Sequence, residues 1–139
     1  MRFLQLIVVL CAAYGSYHYW QQHQTSKQLQ AMTNTNGFVE VPTPDGQDAN
    51  IVYVVAAENC PHEEAQRADR LFESLSRENV SVQRTHNVSF SSLKDQVEVD
   101  RINAVMNGEL PIVFVHGRAK ANPSLEEVMS EVKSLVHSR

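Results

Sequence analysis

Residues 51–57 (IVYVVAA) form a nearly continuous apolar run that is rich in valine. A strand with one solvent-exposed face alternates apolar and polar residues, whereas a strand buried on both faces shows no such alternation. The run therefore predicts a strand in the middle of a sheet whose two faces are both covered. This requirement favours an α/β domain.

Helical and strand periodicities follow this run in alternation. Apolar residues recur at helical spacing after the first strand, and Val80 and Val82 then alternate with polar residues as in a strand. The last helix has a strong start signal, with Asn122 as N-cap and Pro123 at the first helical position. The predicted order is β-α-β-α-β and a final helix, with helices over residues 61–76 and 92–106 and strands over residues 38–41, 80–82 and 110–117.

The first twenty residues differ from the rest of the chain and predict export. A basic Arg2 precedes an apolar stretch over residues 3–13, and aromatic residues follow up to Trp20. The small residues Ala13 and Gly15 fit the cleavage site of a secretory signal peptide. The aromatic residues equally fit the interfacial belt of an uncleaved membrane anchor. Both alternatives place the remaining chain outside the cytoplasmic membrane.

The composition divides the chain into three regions. Residues 1–20 are the predicted signal peptide or membrane anchor, residues 21–37 are a polar linker rich in Gln, Thr and Asn, and residues 38–139 are the folded domain. The expected location is the periplasm or the outer face of the cytoplasmic membrane. In the second case the chain associates with the membrane through residues 3–20.

The charge balance argues against one large class of partners. The chain has 12 basic and 16 acidic residues, and its formal net charge is −4. Proteins that bind nucleic acid carry a basic patch or stripe, and the sequence has no run of Lys or Arg that would form one. We therefore expect no nucleic-acid partner.

Cys60 and Pro61 stand directly ahead of the first helix of the predicted domain. With Pro61 at the first helical position, Cys60 is the N-cap residue, where unpaired N–H groups and the helix dipole stabilise a thiolate. A thiolate is the nucleophile in disulfide exchange, so this position suits redox chemistry. Glu63 and Glu64 oppose a second negative charge in the same turn, and a protonated His62 would offset them. Because buried cysteines are common and usually inert, the residues alone leave a reactive and an inert Cys60 both open.

Pro111 opens the third strand of the predicted β-α-β-α-β order. A proline has no N–H to donate to a central ladder, so Pro111 must lie at the strand entrance or in a special peptide geometry. We predict a cis peptide bond between Leu110 and Pro111, with Pro111 within one side-chain layer of Cys60.

The order of these features resembles the glutaredoxin branch of the thioredoxin-like superfamily. The resemblance rests on Cys-Pro after a buried strand, on Leu-Pro before IVFVHGR, and on a terminal helix, and it covers roughly residues 50–137. It implies a three-layer α/β sandwich with a central mixed sheet. It also implies a site in which Cys60 is the catalytic nucleophile and four residues bind the partner, namely Pro61, His62, Leu110 and Pro111.

Two departures from that family limit the chemistry. Two-thiol glutaredoxins have a second cysteine three positions after the first, where this chain has Glu63. Cys11 is the other cysteine and lies in the export segment, so the domain has no resolving thiol. The resemblance implies glutathione as a ligand, but residues 121–124 (ANPS) replace the Gly-Gly-Asp-like stretch that holds its γ-glutamyl end. Only the backbone contact beside Pro111 carries over.

No metal is predicted, and the function is left open between three classes. Cys60 and the histidines lack the paired spacing of a zinc site. The first class is an exported thiol-disulfide or glutathione-dependent enzyme without a resolving cysteine, which forms mixed disulfides with protein thiols through Cys60. The second is a non-catalytic binding or scaffold domain of the cell envelope that holds an extended peptide near Cys60 and Pro111. The third is a structural component of the envelope that is held at the membrane.

Overall fold

The computed structural model describes residues 1–57 and 62–138. The chain divides into two compact units, Met1–Met32 and Thr33–Arg139. The first unit is helix α1 (Arg2–Met32). The described residues of the second unit form, in chain order, β1 (Val39–Glu40), β2 (Val52–Val55), α2 (Glu63–Arg77), β3 (Val82–Thr85), α3 (Gln96–Met106), β4 (Ile112–Val115), β5 (Arg118–Ala121) and α4 (Leu125–His137).

Helix α1 continues past the point where the sequence predicted a polar linker. The linker prediction began at residue 21, whereas the helix continues to Met32. Gln, Lys, Leu, Ala and Met have high helix propensity, and they outnumber the His, Thr and Ser of residues 21–32. Residues 21–32 are therefore polar but helical.

The first half of α1 carries large apolar side chains that are exposed, and Phe3, Leu4, Val9 and Leu10 are examples. Tyr14 and Tyr17 are also exposed, and their hydroxyl groups contact His18 and Gln21 one turn later. Within the described residues, no helix has both the length and the apolar character needed to span a membrane.

The second unit is an α/β fold built on a five-stranded mixed sheet with the strand order β1-β5-β4-β2-β3. Strand β2 pairs parallel with β3 and antiparallel with β4. Strand β5 pairs antiparallel with both β4 and β1. As the apolar run predicted, β2 lies inside the sheet and all four of its residues are buried.

One face of the sheet packs against α2 and α4. Val54 of β2 and Val113 of β4 are fully buried in this cluster, together with Leu75 of α2 and Val128 of α4. Burying a side chain of this size stabilises the fold by about 1.5–3 kcal/mol relative to leaving it exposed. The cluster therefore holds α2 firmly against the central strand.

Strand β5 is absent from the sequence prediction, which ended the third strand at Gly117. Strands β4 and β5 form a hairpin in which Val115 pairs with Arg118 across the two-residue turn His116-Gly117. Both turn residues have positive φ, 47° and 77° respectively. Two consecutive positive φ angles match the hairpin turns whose twist fits that of the flanking strands.

The folded unit begins before residue 38, where the sequence placed its boundary. The carboxylate of Glu131 in α4 is fully buried, and it accepts hydrogen bonds from Asn34 Nδ2 at 3.0 and 2.9 Å and from Asn36 Nδ2 at 2.9 Å. Arg118 Nη1 donates to the same carboxylate at 2.7 Å. Burial alone would raise the pKa of Glu131, but these hydrogen bonds outweigh it and hold the pKa below its ordinary value. Two asparagines assigned to the linker thus belong to the folded unit.

Helix α4 has Ser124 as its N-cap, not the predicted Asn122, which has a φ of 45° and lies before the helix. Ser124 Oγ accepts a hydrogen bond from the backbone N–H of Glu127, and the Glu127 carboxylate accepts one from the backbone N–H of Ser124. A further hydrogen bond from Lys120 holds the pKa of Glu127 below its ordinary value. The start of α4 is therefore a capping box.

Replacing Ser124 with alanine should lower the free energy of unfolding by about 1 kcal/mol, because the loss of an N-cap side chain leaves a backbone N–H without its partner. Urea titrations of Ser124→Ala would measure this change. Ser130→Ala is the matched control, since Ser130 is exposed in the middle of the same helix. Equal effects of the two substitutions would contradict a role for the cap.

Candidate functional site

The structure describes three of the five residues that the sequence predicted for the site. Cys60 and Pro61 lie outside the described residues. His62 is exposed and is the N-cap of α2, so the cap position predicted for Cys60 belongs to a residue two positions later. Leu110 is half-buried against the apolar cluster, and Pro111 is buried. The peptide bond between Leu110 and Pro111 is cis, as predicted.

Pro111 lines a groove that runs along α2 and encloses about 260 Å³. Arg67 and Arg70 of α2 line one side, and Asn122 and Leu125 line the other. The backbone N–H of Asn122 donates to the carbonyl oxygen of Pro111 at 2.7 Å, which holds these two lining residues next to each other. The groove thus joins a predicted binding residue to two guanidinium groups.

One carboxylate stands beside the groove. Glu109 Oε2 lies 3.7 Å from Arg67 Nη1, and it accepts a hydrogen bond from Asn122 Nδ2 at 3.0 Å. The side chain of Glu109 is 72% exposed, so this ion pair is largely solvated. Arg67 Nε is buried and has no hydrogen-bond partner among the described residues. The described residues therefore provide partners for only some of the hydrogen-bond donors of Arg67.

Arg84 connects the two elements that flank the undescribed residues 58–61. Its Nη1 donates to the carbonyl oxygen of Ala56 at 3.0 Å, and its Nη2 donates to that of Ala57 at 3.3 Å. Its Nε donates to Asp69 Oδ1 of α2 at 3.2 Å. The Arg84 side chain is only 20% exposed, but the Asp69 side chain is 66% exposed, so the ion pair between them is partly solvated. One side chain thus holds the end of β2 against α2. Ala57, whose carbonyl oxygen it binds, lies three positions before Cys60 in the sequence.

Two acidic residues follow residues 58–61 in the sequence. Glu63 and Glu64 form the first turn of α2, and both are exposed. A carboxylate at a helix N-terminus is favoured by the helix dipole, but it disfavours a second anion nearby. The elements that precede and follow residues 58–61 in the sequence thus carry opposite charges, with Arg84 bonded to the end of β2 and two glutamates in the first turn of α2.

Two charged residues of β5 form ion pairs with carboxylates of α4. Arg118 pairs with Glu131, and Lys120 Nζ lies 2.7 Å from Glu127 Oε1. Neither is a solitary surface charge, and neither lines the groove beside Pro111. In the part of the chain that the structure describes, no cluster of three or more His, Cys, Asp or Glu side chains could hold a metal ion.

The sequence patterns identified none of Arg67, Arg70 and Arg84 as site residues. Arg84 was detectable in principle, because it interrupts a strand with a long cation directly before the strand ends. Arg67 and Arg70 gave no such signal, since charged residues three apart on a helix are ordinary. Their importance depends on Pro111 and Asn122, which are distant in sequence.

Comparison with known proteins gives no match to this chain: no protein-family model, no curated protein and no solved structure is significantly similar to it.

Proposed function

We propose that the chain is a thioredoxin-like protein of the glutaredoxin type that exchanges disulfides with partner thiols through Cys60 alone. The observation that carries the proposal is the groove that Pro111 and α2 share, because α2 is the helix that directly follows Cys60. The mixed sheet supports it as well, with parallel β2 and β3 and with β4 antiparallel beside β2. A three-layer sandwich of that family is the finer fold that we propose for this α/β unit.

The proposed chemistry is a two-step exchange with balanced electrons. The Cys60 thiolate attacks one sulfur of a partner disulfide, a new S–S bond forms, and the other partner sulfur leaves as a thiolate. A thiolate of a second molecule then attacks the partner sulfur of the mixed disulfide, forms a new S–S bond with it, and releases the Cys60 thiolate. The original partner disulfide is thereby exchanged for a disulfide between the partner and the second molecule, and the number of S–S bonds is unchanged. An external thiol is required because Glu63 stands at the resolving position and Cys11 is the second of only two cysteines.

Several charges would act on the Cys60 thiol in this proposal. Arg84 brings a cation to the ends of β2 and β3, which favours a thiolate on the segment that follows β2. Glu63 and Glu64 oppose it from the first turn of α2. We therefore expect a mildly activated thiol whose reactivity depends on the balance between these charges.

The pH dependence of alkylation tests this function. Iodoacetamide should modify Cys60 of the folded chain with an apparent pKa below about 8.5, the value of an unperturbed thiol. Glu63→Gln should lower the apparent pKa further, since it removes a neighbouring negative charge. Cys11→Ser in both proteins leaves Cys60 as the single thiol, so that the rate reports on one site.

Glu78→Gln is the matched control for that measurement. Glu78 is exposed and follows the last turn of α2, a helix of 15 residues that spans about 22 Å. The substitution changes the net charge equally but should leave the apparent pKa unchanged. A thiol that is not alkylated in the folded chain, or an apparent pKa well above 8.5, would refute the exchange function.

A non-catalytic binding domain is the second candidate, and the groove itself favours it. The two arginines beside Pro111 would bind an extended peptide whether or not Cys60 reacts. Binding without alkylation of Cys60 would select this candidate.

We also propose that the protein acts outside the cytoplasmic membrane. The proposal rests on Arg2 and on the apolar residues that follow it, whose side chains are exposed on α1. Exposed apolar patches of this kind mark surfaces that contact other molecules.

A further inference from the structure

Two guanidinium groups line the groove beside Pro111, and the residues that line it carry no negative charge. Arg67 and Arg70 each contribute one positive charge, and Glu109 beside the groove contributes one negative charge, which leaves a local excess of +1. The whole chain has a net charge of −4. The groove is therefore a positive site on an acidic protein.

The contacts of Arg67 and Arg70 with the described residues occupy only some of their hydrogen-bond donors. Arg70 Nε donates to the carbonyl oxygen of Gln66 on its own helix at 3.3 Å, and no carboxylate among the described residues forms an ion pair with its guanidinium. Arg67 has a 3.7 Å pair to an exposed carboxylate and a buried Nε without a partner among the described residues. A guanidinium has five donors in a planar fork, so both side chains keep free donors in the groove.

We propose that this groove binds the carboxylate of an acidic side chain of a partner protein. The proposal rests on the function proposed above and adds the class of partner. Arginine forks bind carboxylates through two parallel hydrogen bonds, and one carboxylate neutralises the local excess of one charge. Leu71 and Leu125 also line the groove and would contact the apolar part of the bound chain.

Peptide binding to the Cys60→Ser protein tests the proposal without any disulfide chemistry. The probes are the capped peptides Ac-Glu-Ser-Glu-NH2 and Ac-Gln-Ser-Gln-NH2, in which serine replaces the partner cysteine. Nuclear magnetic resonance titration of the full chain should show at least tenfold weaker binding of the neutral peptide, since hydrogen bonds between charged groups are about twice as strong as neutral ones. The shifted resonances should include those of Pro111's neighbours and of Arg70.

Variants of α2 locate the binding site. Arg70→Gln should weaken binding of the acidic peptide about five- to tenfold, because it removes one charged fork from the site. Arg77→Gln is the matched control, since Arg77 lies on the same helix, changes the net charge equally, and pairs with Glu73 away from the groove. Arg70 is exposed, so its replacement should leave the fold intact. Equal loss in the two variants, or equal binding of the two peptides, would overturn the proposal.

A third probe identifies the kind of molecule that supplies the carboxylate. S-methylglutathione carries two carboxylates and a blocked sulfur, so it binds without exchange. Weaker binding of this compound than of the acidic peptide supports a protein partner. Tighter binding with the same dependence on Arg70 would overturn the protein partner and assign the site to a small thiol. Because Cys60 is absent from the test protein, an unreactive Cys60 would not alter these outcomes.

Discussion

Replacing Arg118 with methionine should lower the free energy of unfolding by about 3 kcal/mol, the largest effect that we expect from a single charged residue of this fold. The carboxylate of Glu131 has no exposed surface, and Arg118 is its one cationic partner among the described residues, at 2.7 Å. Without the guanidinium, the charge stays buried with only Asn34 and Asn36 as donors. Breaking a buried pair in this way typically costs about 3–5 kcal/mol, and we take the lower end because Arg118 is 37% exposed. Urea titration measures the loss.

Two further variants separate the buried charge from other effects of the substitution. Lys133→Met removes the same charge from the exposed surface of α4 and should change the stability by no more than about 0.5 kcal/mol. The double variant Arg118→Met/Glu131→Gln should be more stable than Arg118→Met alone, because it has no unpaired charge to bury. A double variant that is less stable than the single one would show that the charge is not the cause.

The same network should make stability depend on pH in the acidic range. The folded-state pKa of Glu131 is lowered, so its ionised form stabilises the fold above the unfolded pKa of about 4.3, and this contribution is lost as the pH falls through the folded pKa. The wild-type protein should therefore lose more stability than Glu131→Gln when the pH is lowered from 6 to about 3.

Replacing Arg84 with glutamine should reduce stability by about 2 kcal/mol and raise the apparent pKa of Cys60. The guanidinium donates to two backbone carbonyls at the end of β2 and to Asp69 of α2, and hydrogen bonds to charged groups contribute about 1.5–3 kcal/mol. Losing the cation also removes a charge that favours a thiolate on the segment after Ala57. Urea titration and the pH dependence of alkylation measure the two effects separately.

Arg84→Lys separates the effect of the positive charge on Cys60 from the effect of the hydrogen bonds that join β2 to α2. A lysine keeps the positive charge, but its single amino group cannot reach the carbonyls of Ala56 and Ala57 and also Asp69 in the geometry of the fork. We expect the apparent pKa of Cys60 to be nearly that of the wild type, with the loss of stability largely retained. An unchanged pKa in Arg84→Gln would show that Arg84 has only a structural role.

The central part of the fold could be predicted from the sequence because it depends on local patterns. The valine-rich run over residues 51–57 predicted a central strand, and the helical spacing after it predicted α2. The position of Pro111 at a strand entrance predicted its cis peptide bond. Each of these predictions used the spacing of apolar residues along the chain or the covalent structure of proline. The tertiary structure did not override these local preferences.

The errors came from segments whose structure depends on distant residues. Strand β5 contains Arg118 and Lys120, which suggest an exposed turn until Glu131 and Glu127 of α4 are known to pair with them. The positive φ angles of His116 and Gly117 form a hairpin turn, and His-Gly is a weaker signal for it than Asn-Gly. Local composition could not show either the pairing or the turn.

The candidate site could be predicted only in part, for a related reason. The cysteine, the proline after it and the second proline at position 111 were identifiable as single residues. The groove was not, because it is made by residues of α2 together with the loop at Asn122, about 50 positions later. Arg84 likewise gains its role only from the carbonyl groups that β2 presents to it. Such sites arise when the chain folds back on itself.

The hydrogen bonds between Asn34 and Glu131 join residues that are 97 positions apart. On a ribosome that adds about 5–20 residues per second, Asn34 is made roughly 5–20 s before Glu131. Strand β1 is likewise synthesised well before its pairing partner β5, which comes late in the chain. Strands β2 and β3 and helix α2 can pack in the meantime, so the earliest residues of this folded unit are among the last to reach their final places.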